Sequence, residues 1–575
     1  MERSEWSPRQ RQSRPIRPYQ FMLTRQPRKA SHPRARRHPT PFILVDAAQG
    51  EPLHRQLYDA IRAAIVSGRL PAGSRLPSSR GLATDTGVSR ATVGVAFDQL
   101  RAEGYLEARA GSGTFVRAGL PDDALHTRRR RQSPSRSATP SAAESPTPRV
   151  PPALVHARSL PVHQTAAITF MAGVPALDLF PAALWGKLSA RRWRSAVGEE
   201  GSRLLNYANP AGYYPLRRAI ATYVGLARGV RCEAEQVIVT AGAQQALDFA
   251  ARVILRPGES VWLEDPGYFG AKAAFEAVGA SIVPVPVDSE GLDAAAGEAL
   301  DPSARLAYVS PSHQFPLGAT LSMRRRLALL DWAARMGAWV IEDDYDGEFR
   351  YVGRPLASLQ GLDADRSAGA HASTVNGRVL YIGTFSKTVC PALRLGYLIV
   401  PPRLVDSVAA AKSASVGHTA SVEQAVLTDF IEEGHYARHV RRMRIVYAQR
   451  QAALVAAASA HLAQWVDVRP SPAGMHLVGW LRAEVARRGL TDEELSDIAL
   501  AAGVVTTPLS AYRLDRSARD IPSATTADGA LLFGYSAFSE SAIWNGARQL
   551  EQALFADPRS DLRRKRRAAT RQRER

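Results

Sequence analysis

Apolar residues recur every four positions from Leu53 through Leu57 and Ile61 to Ile65, one stripe of a helix expected between Pro52 and Gly68. Gly68, Pro71 and Gly73 stop it. Leu76-Pro77-Ser78-Ser79-Arg80 opens a second helix with Ser78 as its cap, and Gly87 makes the turn out. A third helix begins at Ser89-Arg90-Ala91-Thr92-Val93, and its inward face runs Val93, Ala96, Phe97 and Leu100. Strands at Leu106-Glu107-Ala108 and Thr114-Phe115-Val116 flank Gly111-Ser112-Gly113, the tip of a tight hairpin.

Further along the pattern changes. Short apolar runs at Val237-Ile238-Val239, Ser260-Val261-Trp262-Leu263, Leu306-Ala307-Tyr308-Val309 and Trp339-Val340-Ile341 are each followed by polar loops and helical stretches. Strands alternating with helices predict an α/β domain with a mainly parallel sheet covered on both faces. The expected organisation is a basic arm at 1–40, a helical module with a terminal hairpin at 41–117, a Pro/Ser/Ala-rich flexible linker at 118–165, the α/β domain at 166–557 and a basic tail at 558–575.

Charge sharpens that division. The net +20 is carried by residues 1–40, 118–165 and 558–575, which hold +9, +4 and +7, so the rest of the chain taken together is neutral. Such arms would draw the chain to a polyanion without reading its sequence, unless they are only solvated tails. No apolar run is long enough to span a membrane, and the N-terminus lacks the apolar stretch of a secretory signal. Cys232 and Cys390 have no metal-ligand spacing and fit a reducing cytoplasm.

Candidate chemistry gathers at the predicted strand ends. Lys387, one of six lysines among 74 basic residues, closes the run Val379 to Phe385 beside Thr384 and Ser386, with Arg394 seven positions on. A lysine ending a buried strand must be neutral or bonded. A Schiff base with pyridoxal 5′-phosphate meets that need, and the hydroxyls and guanidinium suit a phosphate. Thr240-Ala241-Gly242-Ala243-Gln244-Gln245 leads from a strand into a helix, where unpaired N–H groups attract a dianion; a plain helix cap is the other reading. Tyr268 would stack on a pyridine ring, or be a core tyrosine near a turn. In Glu342-Asp343-Asp344-Tyr345-Asp346 a buried carboxylate would keep a pyridine nitrogen protonated. A solvated loop is the alternative there, and no histidine stands at metal-ligand spacing.

The first module is a winged helix-turn-helix and resembles the GntR family. The likeness rests on Leu76-Pro-Ser-Ser-Arg80, Val88-Ser-Arg90, Thr92-Val93, Leu100-x-x-x-Gly104-Tyr105-Leu106 and Gly111-Ser-Gly-Thr-Phe-Val116. It implies that Arg80, Ser89, Arg90, Thr92 and the wing glycine Gly113 meet double-stranded operator DNA. Gly94 departs from the pattern, standing where relatives often place a polar or basic reader. Residues 200–540 resemble the fold-type I aminotransferases, so the whole chain looks like a MocR-type regulator: a GntR module joined by a linker to a PLP-dependent, aminotransferase-like domain. The resemblance implies a phosphate held by Gly242, Ala243, Gln244, Thr384, Ser386 and Arg394, and a ring stacked on Tyr268. His313 or Gln314, together with Tyr345, would lie by the phenolic oxygen. The pyridine nitrogen would face Asp343, with Asp344 the neighbouring rival, and Lys387 would hold the cofactor covalently. Tyr207, in Asn206-Tyr207-Ala208-Asn209-Pro210, would reach the phosphate in a neighbouring subunit, which implies a homodimer.

The pattern also breaks. Aminotransferases grip the substrate α-carboxylate with an arginine that aligns here with Leu532, and a second arginine used by some relatives aligns with Gly270. Arg513, Arg516 or Arg519 could substitute from a loop. The expected function is therefore a cytoplasmic regulator sensing a small-molecule effector, either pyridoxal phosphate itself or an amino acid or amine, with at most residual transaminase chemistry. The alternative is a working aminotransferase that carries a DNA-binding module.

Overall fold

A computed structural model describes residue 45 and residues 50–109, 111–118, 168–353, 356–368, 377–514 and 529–556. The arms at 1–40 and 558–575 and the linker beyond Ala118 lie outside the described residues. The chain divides into two compact units, within residues 1–143 and 144–575.

The smaller unit has α1 (Leu53–Val66), α2 (Ser79–Thr86), α3 (Arg90–Ala102), and the antiparallel pair β1 (Leu106–Arg109) and β2 (Gly113–Val116). Ser78 accepts a hydrogen bond from the Gly81 amide and Ser89 from the Thr92 amide, so both helices start where a short side-chain oxygen satisfies an orphan N–H. Gly87 ends α2 in the left-handed region at φ 71°, which favours glycine. Leu57, Ile61, Val93, Ala96, Phe97 and Leu100 are buried in one core with Leu106 and Val116, so the wing is packed on the helices.

The larger unit is built on an eight-stranded sheet. Its strands are β3 (Val237–Thr240), β4 (Ser260–Asp265), β5 (Ser281–Asp288), β6 (Gly291–Leu292), β7 (Leu306–Val309), β8 (Trp339–Asp343), β9 (Val379–Thr384) and β10 (Gly396–Ile399). Their order is β3-β10-β9-β8-β7-β4-β5-β6. Pairing is parallel from β9 through β8, β7 and β4 to β5, whereas β10 runs antiparallel to both of its neighbours. The departure from a purely parallel sheet has a simple cause. Only residues 385–395 join β9 to β10, fewer than the dozen or more that a parallel crossover needs.

Successive side chains in a strand point to opposite faces, and here both faces are covered. Ile238, Leu263, Ile341 and Ile382 pack on one side with helix α4 (Ala243–Ile254). Val239 and Tyr381 face the other side with helix Tyr214–Arg228, while Trp262 and Val340 pack there with helix Met323–Met336. A strand buried on both faces has no polar alternation, which is why these runs read as uniformly apolar. A second, four-stranded antiparallel sheet (Val466–Val468, His476–Leu481, Ala530–Gly534, Thr507–Pro508) packs with the long helix His435–His461 and helix Glu540–Phe555. No helix of the described residues is long and apolar enough to cross a membrane.

A side chain at Gly94 in α3 would meet nothing within 4 Å, so nothing in the module requires glycine there. Gly94→Ala is expected to stabilise the module by about 0.5–1 kcal/mol. A higher midpoint for its unfolding in the full chain would show this; an unchanged or lower midpoint contradicts it.

Candidate cofactor site and nucleic-acid interface

Parallel strands deliver their carboxyl ends to one edge of the sheet, where open α/β sheets bind ligands. Thr240, Asp265, Val309, Asp343 and Thr384 are the last residues of β3, β4, β7, β8 and β9. Thr384 caps the single helical turn Phe385–Thr388, accepting from the Ser386 amide at 3.1 Å, and Lys387 lies on that turn. Its Nζ donates to the Gly173 carbonyl at 2.7 Å. Burial pushes the lysine pKa down, and the nearby Asp346 and Asp343 carboxyls oppose that shift. Gly173 has φ 75°, a left-handed conformation that favours glycine, and a Cβ there would stand 2.8 Å from Nζ.

The acidic run is a buried hub, and each carboxyl has its own task. Glu342 accepts from the Leu359 and Gln360 amides. Asp344 takes the buried Arg228 guanidinium at 2.6 Å and the Tyr381 hydroxyl at 2.6 Å. Burial alone would raise the Asp344 pKa, but Arg228 outweighs it and holds the carboxyl below its ordinary value. Asp346 meets His313 Nδ1 at 3.0 Å. Asp343 accepts from Tyr308 at 2.8 Å through Oδ2, while its Oδ1 is buried without a partner. Burial pushes Asp343 up to about 7. Asp344 is thus consumed by an internal ion pair, and Asp343 keeps a free oxygen.

His313 and Gln314 separate in the same way. The Gln314 amide is spent on the chain: Nε2 donates to the Pro266 and Phe315 carbonyls at 2.9 and 2.7 Å, and Oε1 accepts from the Leu317 amide. His313 Nδ1 faces the Tyr345 hydroxyl at 3.0 Å, and its Nε2 is buried without a partner. Tyr345 also donates to the His313 carbonyl.

Gly242 begins α4 at φ 98°, followed by Ala243 and the exposed Gln244. A Cβ at Gly242 would lie 3.6 Å from the Arg394 guanidinium, so a guanidinium and a helix N-terminus meet at this corner. Arg394 is the one non-glycine residue with positive φ (50°) among those described. Such a conformation costs about 1–3 kcal/mol and is common at ligand clamps. Tyr268 hydrogen-bonds Gln244 at 3.3 Å and is pushed up to about 12, by burial first and then by Asp343. Tyr207 stands apart at 93 % exposed, with the His418 ring edge-on to its own.

At the two positions where the resemblance leaves a carboxylate grip missing, one side chain lies in an apolar cluster and the other position is crowded. Leu532 is buried with Val478, Leu509 and Tyr512, and Phe315 and Leu317 pack on the same cluster. A Cβ at Gly270 would run into the Tyr268 ring and Gln244. Arg513 is exposed at the end of the short turn Leu509–Tyr512; Arg516 and Arg519 lie outside the described residues.

In the smaller unit Arg80 and Arg90 are exposed in the first turns of α2 and α3, and Ser89 and Thr92 share a hydroxyl contact of 2.8 Å. Gly113 has φ 110°, and a Cβ there would meet Arg75 Nε at 3.0 Å. Arg75 therefore lies against the wing, a basic neighbour that reading by motif passed over because it sits in a connecting bridge. Gly173, Arg228 and Tyr308 were also missed, since their partners lie 214, 116 and 35 positions away.

These two units define a class: a winged-helix module followed by a fold-type I α/β domain built on an eight-stranded sheet. Comparison with known proteins agrees. The family model "Bacterial regulatory proteins, gntR family" matches residues 53–116, and "Aminotransferase class I and II" matches residues 181–528. The probable rhizopine catabolism regulatory protein MocR of Rhizobium meliloti is 40 % identical, covering 90 % of this chain and 96 % of that protein. The pyridoxine biosynthesis transcriptional regulator PdxR of Corynebacterium glutamicum is 30 % identical over 87 % of this chain and 96 % of its own length. Among solved structures, Thermus thermophilus LysN, an α-aminoadipate aminotransferase complexed with N-(5′-phosphopyridoxyl)-L-leucine, has TM-score 0.58 and 30 % identity, covering 68 % of this chain and 92 % of that one. The chain belongs to the MocR-type branch of the GntR family, DNA-binding transcription regulators whose large domain is of the class I and II aminotransferase family.

Asp343 ionises near 7 when folded and near 3.8 when unfolded, so the folded chain binds more protons between those values and this carboxyl's contribution to stability falls as pH rises through that window. Asp343→Asn should therefore stabilise the ligand-free chain more at about pH 8 than at about pH 5, read from denaturant unfolding. An equal effect at both pH values contradicts the raised ionisation.

Proposed function

We propose that this regulator holds pyridoxal 5′-phosphate on Lys387 and that the occupancy or chemical state of that group alters operator binding. The observation that carries the reading is the partnerless Asp343 Oδ1, a buried carboxylate oxygen suited to a protonated pyridine nitrogen. Support comes from the Gly242–Arg394 corner, which suits a phosphate dianion, and from His313 Nε2 and Tyr345, which suit the phenolic oxygen side. Thr384 and Ser386 would add to the phosphate cradle, with Ala243 and Gln244 at the helix start, and Tyr268 would cover the ring. Bound there, the group supplies an aldehyde carbon for amines and an electron-withdrawing ring. The chain's own residues set that chemistry. Asp343 would keep the ring nitrogen protonated, Lys387 would offer its amine in a site that disfavours charge, and Gly173 would fix where that amine points.

The effector we favour is the cofactor itself. An incoming α-carboxylate would find Leu532 and no side chain at Gly270, losing a charge-assisted pair worth roughly 1.5–3 kcal/mol. An amine without a carboxylate is the rival effector. The exposed Tyr207 suits a homodimer in which it reaches the neighbouring phosphate, and a cytoplasmic setting suits a regulator of genes. Arg80, Ser89, Arg90, Thr92 and Gly113 would form the DNA contact.

Operator affinity measured with and without pyridoxal phosphate, in the absence of amino acids, is expected to differ, and Lys387→Ala should abolish both the difference and the borohydride-trapped pyridoxyl group. Equal affinities in the parent chain reject the cofactor as signal. Steady multiple turnover with an amino donor and a keto acceptor would instead make the protein an enzyme. Arg90→Ala should cost about 1–3 kcal/mol on the operator if Arg90 reads a base, and should weaken all sequences alike if it touches only phosphate.

A further inference from the structure

On the larger unit, a cleft of about 440 Å³ including its open mouth is lined by Tyr223, Arg228, Glu348, Arg350 and Arg444. It draws on helix Tyr214–Arg228, the segment after β8 and helix His435–His461. Nothing in the cofactor reading uses it. Arg228 forms its inner wall with every nitrogen engaged: Nε and Nη2 reach Asp344, Nη2 also reaches Ser312, and Nη1 donates to the Gly347 carbonyl at 3.2 Å. That pair is neutral. The remaining charges are Arg350, Arg444 and Glu348, so the cleft has an excess of positive charge. Arg444 is held at the rim, its Nε donating to the Glu348 carbonyl at 2.5 Å. Arg350 Nε is buried and has no hydrogen-bond partner among the described residues, a cost that an acceptor entering the cleft would remove.

We propose that this cleft binds a small oxyanion, a phosphate or a carboxylate, between Arg350 and Arg444 and apart from the cofactor site. Glu348 does not argue against an anion. Burial pushes it up to about 7, with Asp344 adding and Arg228 opposing, so near neutrality it is half protonated and can donate. The groups that face it are Tyr223, whose hydroxyl donates to it at 3.3 Å, and Arg228, Asp344, Asp346, Tyr397, Tyr436 and Arg444. Two forked guanidinium groups beside a convertible carboxyl suit a planar or tetrahedral oxyanion.

Inorganic phosphate and succinate are titrated separately by calorimetry into the full chain carrying Arg394→Ala, which removes the other candidate phosphate contact. Binding is expected, and Arg444→Ala and Arg350→Gln are each expected to weaken it about tenfold or more in that background. Arg444 is exposed, so its removal does not threaten the fold. Glu348→Gln should tighten succinate binding at about pH 8, where the parent carboxyl is charged. Tighter binding of phosphate than of succinate assigns a phosphate source, and the reverse a carboxylate source. Binding that is absent in the parent, or equal in the parent and both arginine variants, overturns the proposal.

Discussion

Two ionisable side chains, Asp343 and Lys387, are held at the ends of neighbouring parallel strands where burial disfavours the charge on each. A buried carboxylate and a buried amine must be paired, neutralised or given to a ligand. Asp344, one position along, shows the first solution, with Arg228 and Tyr381 closing around it. Asp343 differs, since one oxygen is tied to Tyr308 and the other has no partner among the described residues. The sheet edge depends on this contrast. The two adjacent aspartates meet different partners, Asp343 the Tyr308 hydroxyl and Asp344 the Arg228 guanidinium and Tyr381 hydroxyl.

The connection between β9 and β10 carries the rest of the site. Because residues 385–395 are too few for a crossover, the chain turns back antiparallel, and Lys387 and Arg394 come to the same edge from one loop. Arg394 adopts a left-handed conformation that most side chains avoid, and its guanidinium reaches Gly242 at the start of α4. The strain is local, and the well-packed strands on either side can hold it. The glycine at 173 brings a carbonyl onto Lys387 from the beginning of the domain.

On the proposed reading, Lys387 and Asp343 would hold a cofactor, while Leu532 stands where aminotransferases grip a substrate carboxylate. Transamination needs tight, oriented binding of a substrate at the reacting carbon. Sensing needs only a difference in affinity between two states. The apolar cluster around Leu532 and the crowding at Gly270 leave neither position with a basic side chain.

Local physics made much of this legible from the amino-acid order alone. Ser78 and Ser89 as caps, Gly87 as a left-handed stop, the stripe on α1 and the doubly buried strands all follow from interactions within a few residues or from the two-residue period of a strand. So did the loop ends at which Lys387, Asp343, Tyr268 and Gly242 stand. Tertiary structure alone showed that Asp344 is paired with Arg228 while Asp343 Oδ1 has no partner among the described residues, and that Gln314 is bonded to backbone while His313 Nε2 is not. It also placed the Gly173 carbonyl on the lysine. Each of those outcomes depends on a partner remote in the chain, such as Arg228 for Asp344, and the energy of a buried charge is set by what surrounds it in space.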